Sequence, residues 1–437
     1  MLETLRAALA LPDLRNRLLF VFAMLGVYVM ATWIPVPGVD HKVMQDILKN
    51  NSLLGIIDIF SGGALQRFSI MAMGIMPYIS AGIMFQVLAF GVPSIKALQK
   101  EGEFGRQKIA RWTRYLTIAL TMIQGTVLVK GFASQGAFTG SMKGFGMAQV
   151  VLSMAAGTCF LMWLGEQITE RGIGNGVSFI IFAGIVVRLP KDILNTIGQV
   201  RDGNIGMINV IILTLALLGS IVAVIWVTQG ERRIPVRYAD RMAGRRVVRG
   251  QRSHLPLRVA QAGVIPIIFA VTITLFPAQL ASWVIQAFGA NVKWGPIPVS
   301  AWCVTIADVF QPGKHWLGAL IYAGCVMGFS YFYTAVIFDP REIADNLRKY
   351  GGQIQGYAPG QPTALFINKV LSRVTFAGGF FLAFIALEAW YVPIWTGVDT
   401  FRLIGGTSLL IVVGVALETM QQLEQQLKLR QYEGLIK

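Results

Sequence analysis

Long stretches without a charged residue recur along this chain. Runs lacking Asp, Glu, Lys and Arg cover residues 18–39, 68–95, 144–165, 203–230, 259–292 and 315–338. Each exceeds the ~20 apolar residues that cross a bilayer as a helix. Four shorter runs, 115–129, 172–187, 374–387 and 403–417, reach that length once flanking side chains carry their charged heads to the interface. The pattern predicts ten spans. All are expected to be helices, because membrane strands alternate in polarity and do not read as continuous apolar runs. The first run follows Arg15 and Arg17, as a secretory signal would. It is too long for one, lacks a small-residue cleavage site and ends in Trp33-Ile34-Pro35, so it reads as a retained first span.

Ten spans bring both ends of the chain to one side of the membrane. They divide into five plus five, with the seam in the external stretch 195–204, giving an N-terminal half of residues 1–196 and a C-terminal half of residues 197–437. Five is odd, so the halves would have opposite topology, as in inverted-repeat membrane proteins whose function sits between the repeats. This reading rests on parity alone, and a non-repeating bundle is the alternative. Between spans one and two, residues 52–64 are apolar, too short to cross and end at Gly62-Gly63. They read either as a re-entrant piece packed inside protein or as an amphipathic helix on the outer surface.

Composition excludes the soluble alternatives. Of 437 residues, 14% are charged and 54% belong to the AVILMFWYC set, and mean hydropathy is +0.59. Soluble domains carry roughly 25% charged residues, so a water-soluble, disordered or fibrous protein is ruled out in favour of an all-α polytopic membrane protein. The net charge is +16. Of the 38 Lys and Arg, 27 fall on the side that holds the two termini, which the positive-inside rule makes cytoplasmic. The loop 229–258 carries nine arginines against Glu231 and Asp240. Such density suits the phosphates of RNA and also holds the loop inside.

Catalytic patterns are missing. The three histidines form no metalloprotease helix motif, no nucleophile elbow or Walker lysine occurs, and the three cysteines lack metal spacing. No catalytic residue, metal site or cofactor is expected. Gly172-Ile173-Gly174-Asn175-Gly176 reads as a tight turn between spans four and five. Charges that interrupt spans, such as Arg188 and Glu388, lie toward span ends. An ion-coupled secondary transporter, which needs an ionisable residue deep in the membrane, is therefore poorly supported, as is a membrane enzyme.

Several motifs are specific. Phe60-Ser61-Gly62-Gly63-Ala64 precedes Gly74-Ile75-Met76-Pro77-Tyr78-Ile79-Ser80-Ala81. Lys100-Glu101-Gly102-Glu103 and Leu164-Gly165-Glu166-Gln167-Ile168-Thr169-Glu170-Arg171 follow. Ala262-Gly263-Val264-Ile265-Pro266, Phe338-Asp339-Pro340-Arg341-Glu342 and Gly405-Gly406-Thr407-Ser408-Leu409-Leu410-Ile411 come later. In this order and spacing the chain resembles, over essentially its whole length, the SecY family, the channel-forming subunits of the bacterial Sec translocon.

That resemblance implies ten helices in two inverted halves around an hourglass pore, with a short plug helix. It implies a protein-conducting channel of the cytoplasmic membrane that threads unfolded preproteins outward, binds their signal sequences and releases apolar segments sideways into membrane lipids. The implied partners are SecE and SecG in a heterotrimer, SecA, and the ribosome including its RNA. By motif position the pore ring is Ile75 and Ile79 on span two, Ile181 on span five, Ile268 on span seven and Ile411 on span ten, with Val177 one turn before Ile181. Ile75 and Ile79 are four apart and share a helix face. A ring of this kind excludes water and ions by dewetting.

The implied plug is about 53–65, including Ile56, Ile57, Asp58, Ile59, Phe60, Ser61, Gly62 and Gly63. Asp58 departs from relatives, which are often neutral there; near the outer funnel a carboxylate is tolerable if water reaches it. The lateral gate implied between spans two and three and spans seven and eight would carry Ser80, Gln86, Gln124 and Gln261. Relatives often have Asn at the position of Ala260. Docking of the ribosome and SecA falls on Arg232, Arg233, Arg237, Arg241, Arg245, Arg246, Arg249 and Arg252, and on Tyr357 and Ala358 in the loop 339–373. Relatives carry arginine where this chain has Ala358.

Overall fold

The computed structural model describes residues 2–50, 55, 58, 60–138, 144–203, 205–238, 241–243, 246–248, 252–261, 263–288, 293–294, 297–310, 313, 315–398 and 405–436. Each of the ten apolar runs falls on a helix. A short α1 (Leu2–Ala10) leads into α2 (Pro12–Ala31), with Pro12 in the first turn, where its missing N–H costs nothing. An amphipathic α3 (His41–Asn50) buries Met44 and Ile47. Then follow α4 (Met76–Gly91), α5 (Pro93–Lys100), α6 (Glu103–Ser134), α7 (Phe145–Arg171), α8 (Gly176–Arg201) and α9 (Met207–Gln229). The second part holds α10 (Ile265–Phe288), α11 (Val299–Val309), α12 (Trp316–Ile337), α13 (Pro340–Lys349), α14 (Gln361–Thr396) and α15 (Thr407–Ile436). Among the described residues, six helices are long and apolar enough to cross a membrane, or seven if a bent pair over Met76–Gln99 counts as one.

The packing forms two groups. In one, α7 touches α2, α6 and α8, and α4 lies on α6. In the other, α12 lies between α10 and α14, and α9 contacts α14 and α15. The groups meet at two seams: α1 and α8 against α15, and α10 against α4 and α6. Where α15 passes the turn before α10, a Cβ on Gly414 would stand 2.5 Å from a methyl of Val264, so glycine lets α15 approach this closely.

Two span boundaries differ from expectation. The second run begins at Phe68, but α4 starts only at Met76. Residues 61–75 instead form buried turns, with Gly62, Gly63, Phe68 and Gly74 at positive φ. These residues pack inside the protein, where irregular backbone at membrane depth is tolerated. The fifth helix does not stop near Val187 but runs to Arg201, so most of the seam 195–204 is helical. Asn175 caps it, accepting from the N–H groups of Val177 and Ser178, and Pro190 is accommodated within it.

Strands were not expected. The arginine-rich loop folds into β1 (Glu231–Tyr238), β2 (Arg241–Ala243), β3 (Arg246–Val248) and β4 (Arg252–Arg258). β5 (Lys293–Trp294) and β6 (Ile297–Pro298) form a small hairpin, and β7 (Gly352–Ile354) precedes α14. The antiparallel sheet β4–β1–β7 joins the two loops between spans six and seven and spans eight and nine. Ile234, Val236, Leu257, Ile354, Ile367 and Leu371 form its own small core.

Candidate pore and plug

The five ring isoleucines arrive from four helices. Ile75 stands at the cap of α4, and its carbonyl accepts from the N–H of Ile79 at 3.1 Å, which keeps the two on one turn. Ile181 comes from α8, Ile268 from α10 and Ile411 from α15. All five are buried and belong to one contiguous apolar cluster. Val177 packs against the same cluster. Phe60 and Ala64, from the plug region, lie in it too.

On one side of this cluster opens a cavity of about 590 Å³. Ile79, Ile181, Ile268 and Val177 line it, with Gln86 of α4, Thr113 of α6, Phe269 of α10 and Tyr333 of α12. Arg106 and Asn175, near the helix ends that bear the basic loops, also reach it. The lining therefore combines apolar side chains with a few polar ones.

Of the plug residues, Ile56, Ile57 and Ile59 lie outside the described residues. Asp58, Phe60, Ser61, Gly62 and Gly63 are described. Asp58 is accommodated by an ion pair rather than by water. It is only 2% exposed, and its Oδ2 meets Arg188 Nη1 of α8 at 2.7 Å. Its Oδ1 accepts from the Gln66 backbone N–H at 2.9 Å. A buried carboxylate needs this pairing, because an isolated one costs several kcal/mol or more to desolvate. Ser61 Oγ donates to the Asp58 carbonyl and accepts from the Leu65 N–H, tightening the turn. Gly62, at φ +69°, presses on α8: a Cβ there would stand 2.7 Å from Tyr28 Oη and 3.0 Å from the Gly184 Cα. Tyr28 Oη donates to the Ser61 carbonyl at 3.3 Å.

The gate candidates are scattered. Gln86 lines the cavity, and its Oε1 is buried without a hydrogen-bond partner. Ser80 is half-buried on α4, and Gln124 is buried on α6. Gln261 Oε1 accepts from the Arg258 N–H, so it closes its own turn rather than reaching across helices. Glu388 of α14 is satisfied by Ser220 Oγ of α9 at 2.6 Å.

On the arginine-bearing sheet, Arg232, Arg233 and Arg237 are exposed along β1, and Arg233 and Arg237 lie on the face opposite the buried Ile234 and Val236. Arg233 also pairs with Glu231 at 2.6 Å. Arg241, Arg246 and Arg252 lie on β2, β3 and β4, whereas Arg245 and Arg249 fall outside the described residues. Tyr357 stacks on Phe366 with ring centres 4.1 Å apart, and the Ala358 carbonyl accepts from Thr363 Oγ1. The sheet itself escaped sequence reasoning. Its signal was the alternation of Ile234 and Val236 with Arg233, Pro235 and Arg237, a period of two hidden among arginines.

Comparison with known proteins agrees with this geometry. A family model described as SecY matches residues 69–420. The protein translocase subunit SecY of Escherichia coli K12 is 43% identical, over 98% of this chain and 95% of its own. That of Streptomyces galbus is 41% identical over the full length of both. Among solved structures, a protein-conducting channel superposes with a TM-score of 0.66 at 17% identity, covering 94% of this chain and 91% of its own. A SecY structure whose plug domain stabilises the closed state and maintains a membrane seal gives 0.65 at 18%, with the same coverage. Sec61 from a canine ribosome–channel complex gives 0.64 at 16%, again over 94% and 91%. The chain therefore belongs to the SecY family.

Proposed function

We propose that this protein is the channel subunit of a Sec translocon in a bacterial cytoplasmic membrane, with both termini in the cytoplasm. It passes unfolded preproteins outward and releases apolar segments sideways into lipid. One observation carries the reading: isoleucines from four helices converge in a single buried cluster, and Ile79, Ile181 and Ile268 of that cluster line the cavity between α4, α6, α8, α10 and α12. Apolar side chains offer a passing chain no charge to hold it, and they exclude water when the chain is gone. Phe60, Ala64 and the turn behind them form the plug that completes the seal.

Residues 1–196 and 197–437 act as the two halves, and their two seams support this division. The seam of α4 and α6 against α10 is the lateral gate, with α12 behind it. Ser80, Gln86 and Gln124 contribute the polar contacts there, and interhelical contacts of this kind are worth about 1 kcal/mol or less each. An incoming signal sequence competes with them, since each Leu or Ile favours lipid by roughly 0.3–0.6 kcal/mol. The subunit has no motor. SecE and SecG complete the heterotrimer, and SecA or the ribosome drives transport from the arginine-bearing sheet and the loop containing Tyr357 and Ala358.

The test is reconstitution. Proteoliposomes holding this subunit with SecE and SecG, supplied with SecA and ATP, should protect a secretory precursor from added protease. Full digestion of the precursor, with a known translocon active in parallel, would contradict the proposal.

A further inference from the structure

The plug is tied to α8 by more than apolar contact. Gly184, Arg188 and Lys191 lie at i, i+4 and i+7, so one face of α8 meets the plug region. Gly184 receives Gly62 at van der Waals distance. Arg188 Nη1 binds Asp58 Oδ2 at 2.7 Å, across 130 positions of sequence. Lys191 Nζ donates to Gln66 Oε1 at 3.0 Å. The other charged groups nearby are Asp192, whose Oδ2 lies 4.0 Å from Arg188 Nε, and Arg67, whose guanidinium rests 3.6 Å above the Trp33 ring.

We propose that the Asp58–Arg188 pair is an ionic latch that holds the plug seated, and that breaking it is a required step of plug release. The proposal rests on the plug reading above. Its physical basis is the difference between apolar and ionic contacts. A buried ion pair adds little net stability compared with apolar side chains of similar volume, because desolvation offsets the attraction. What it adds is direction: one carboxylate, one guanidinium, one register. When the plug swings out toward water, both ions regain hydration, so the separated state is not penalised as a dry, unpaired charge would be. Such a contact is strong while seated and reversible when displaced. Lys191 to Gln66 makes a second, weaker tether on the same face.

The latch is read as resting ion conductance of the complete heterotrimer in planar bilayers. Asp58→Asn is isosteric and keeps an acceptor for the Gln66 N–H. Asp58→Asn and Arg188→Gln are each expected to raise resting conductance by roughly tenfold or more, the effect of losing one hydrogen bond between charged groups. The double variant should leak no more than the leakier single variant, which is the signature of one shared interaction. Arg188→Lys should recover most of the seal. Deletion of residues 53–65 serves as the reference. If the deletion leaks while both single variants stay tight, the latch is refuted and the plug stands. If the effects of the single variants simply multiply, the two residues act independently and the latch is refuted. If even the deletion leaves conductance unchanged, the plug reading itself fails.

Discussion

At the waist, Ile75, Ile79, Ile181, Ile268 and Ile411 come together without a polar side-chain atom among them. About two turns further along α8, Asp58 and Arg188 form a buried ion pair. In the proposed channel both regions close the same path. The waist must admit any polypeptide, so its contacts are non-directional and indifferent to sequence. The plug meets only one surface, its own seat, and can use contacts that demand a particular partner and register. Apolar chemistry supplies a general gasket, and ionic chemistry supplies a specific position.

Substitutions can break or sharpen this contrast. The largest effect is expected from Ile79→Gly combined with Ile181→Gly. Removing buried isoleucines costs about 2–5 kcal/mol each even when replaced by alanine, and here the loss opens a wet path through the waist. Resting conductance should rise more than in any latch variant, and an unchanged conductance would remove the ring from the seal. Next in size is Gly184→Val. A Cβ at this position already stands 3.0 Å from Tyr28 Oη and 3.2 Å from the Gly62 N. Overpacking of this kind costs about 1–3 kcal/mol, and the strain is relieved by lifting the plug. Leakage should rise while the ring stays intact, and thermal unfolding of the purified complex would separate displacement from general instability. The smallest effect belongs to Tyr28→Phe. It deletes the hydrogen bond to the Ser61 carbonyl, worth about 1 kcal/mol. A few-fold rise in conductance is expected, and a rise equal to that of Arg188→Gln would argue against a privileged ionic contact.

The sequence made some of this architecture legible and concealed the rest for physical reasons. Each continuous apolar run falls on a helix, because hydropathy is a local property. The start of α4 was not visible, since residues 68–75 are as apolar as a span but fold as buried turns. The length of α8 was hidden by Arg188, Lys191 and Asp192, which read as the end of a span although the first two serve the plug. The ion pair could not be read at all: its partners are 130 positions apart, and each alone looked like a tolerated exception. The ring positions came from resemblance to the family, because an isoleucine in a membrane helix carries no local mark of facing a pore. The sheet β4–β1–β7 was hidden because dense arginines mask the alternation of Ile234 and Val236.

The central claim is that the isoleucine cluster lines the path of the translocating chain. A photoreactive residue placed singly at Ile79, Ile181, Ile268 or Ile411 in the reconstituted heterotrimer, with a secretory precursor stalled midway, tests it directly. The lipid-facing Leu215 of α9, exposed in the structure, is the control. The account predicts crosslinks to the precursor from the four cluster positions and none from Leu215. Crosslinks to lipid or to neighbouring helices alone, with the precursor untouched at all four positions, would contradict it.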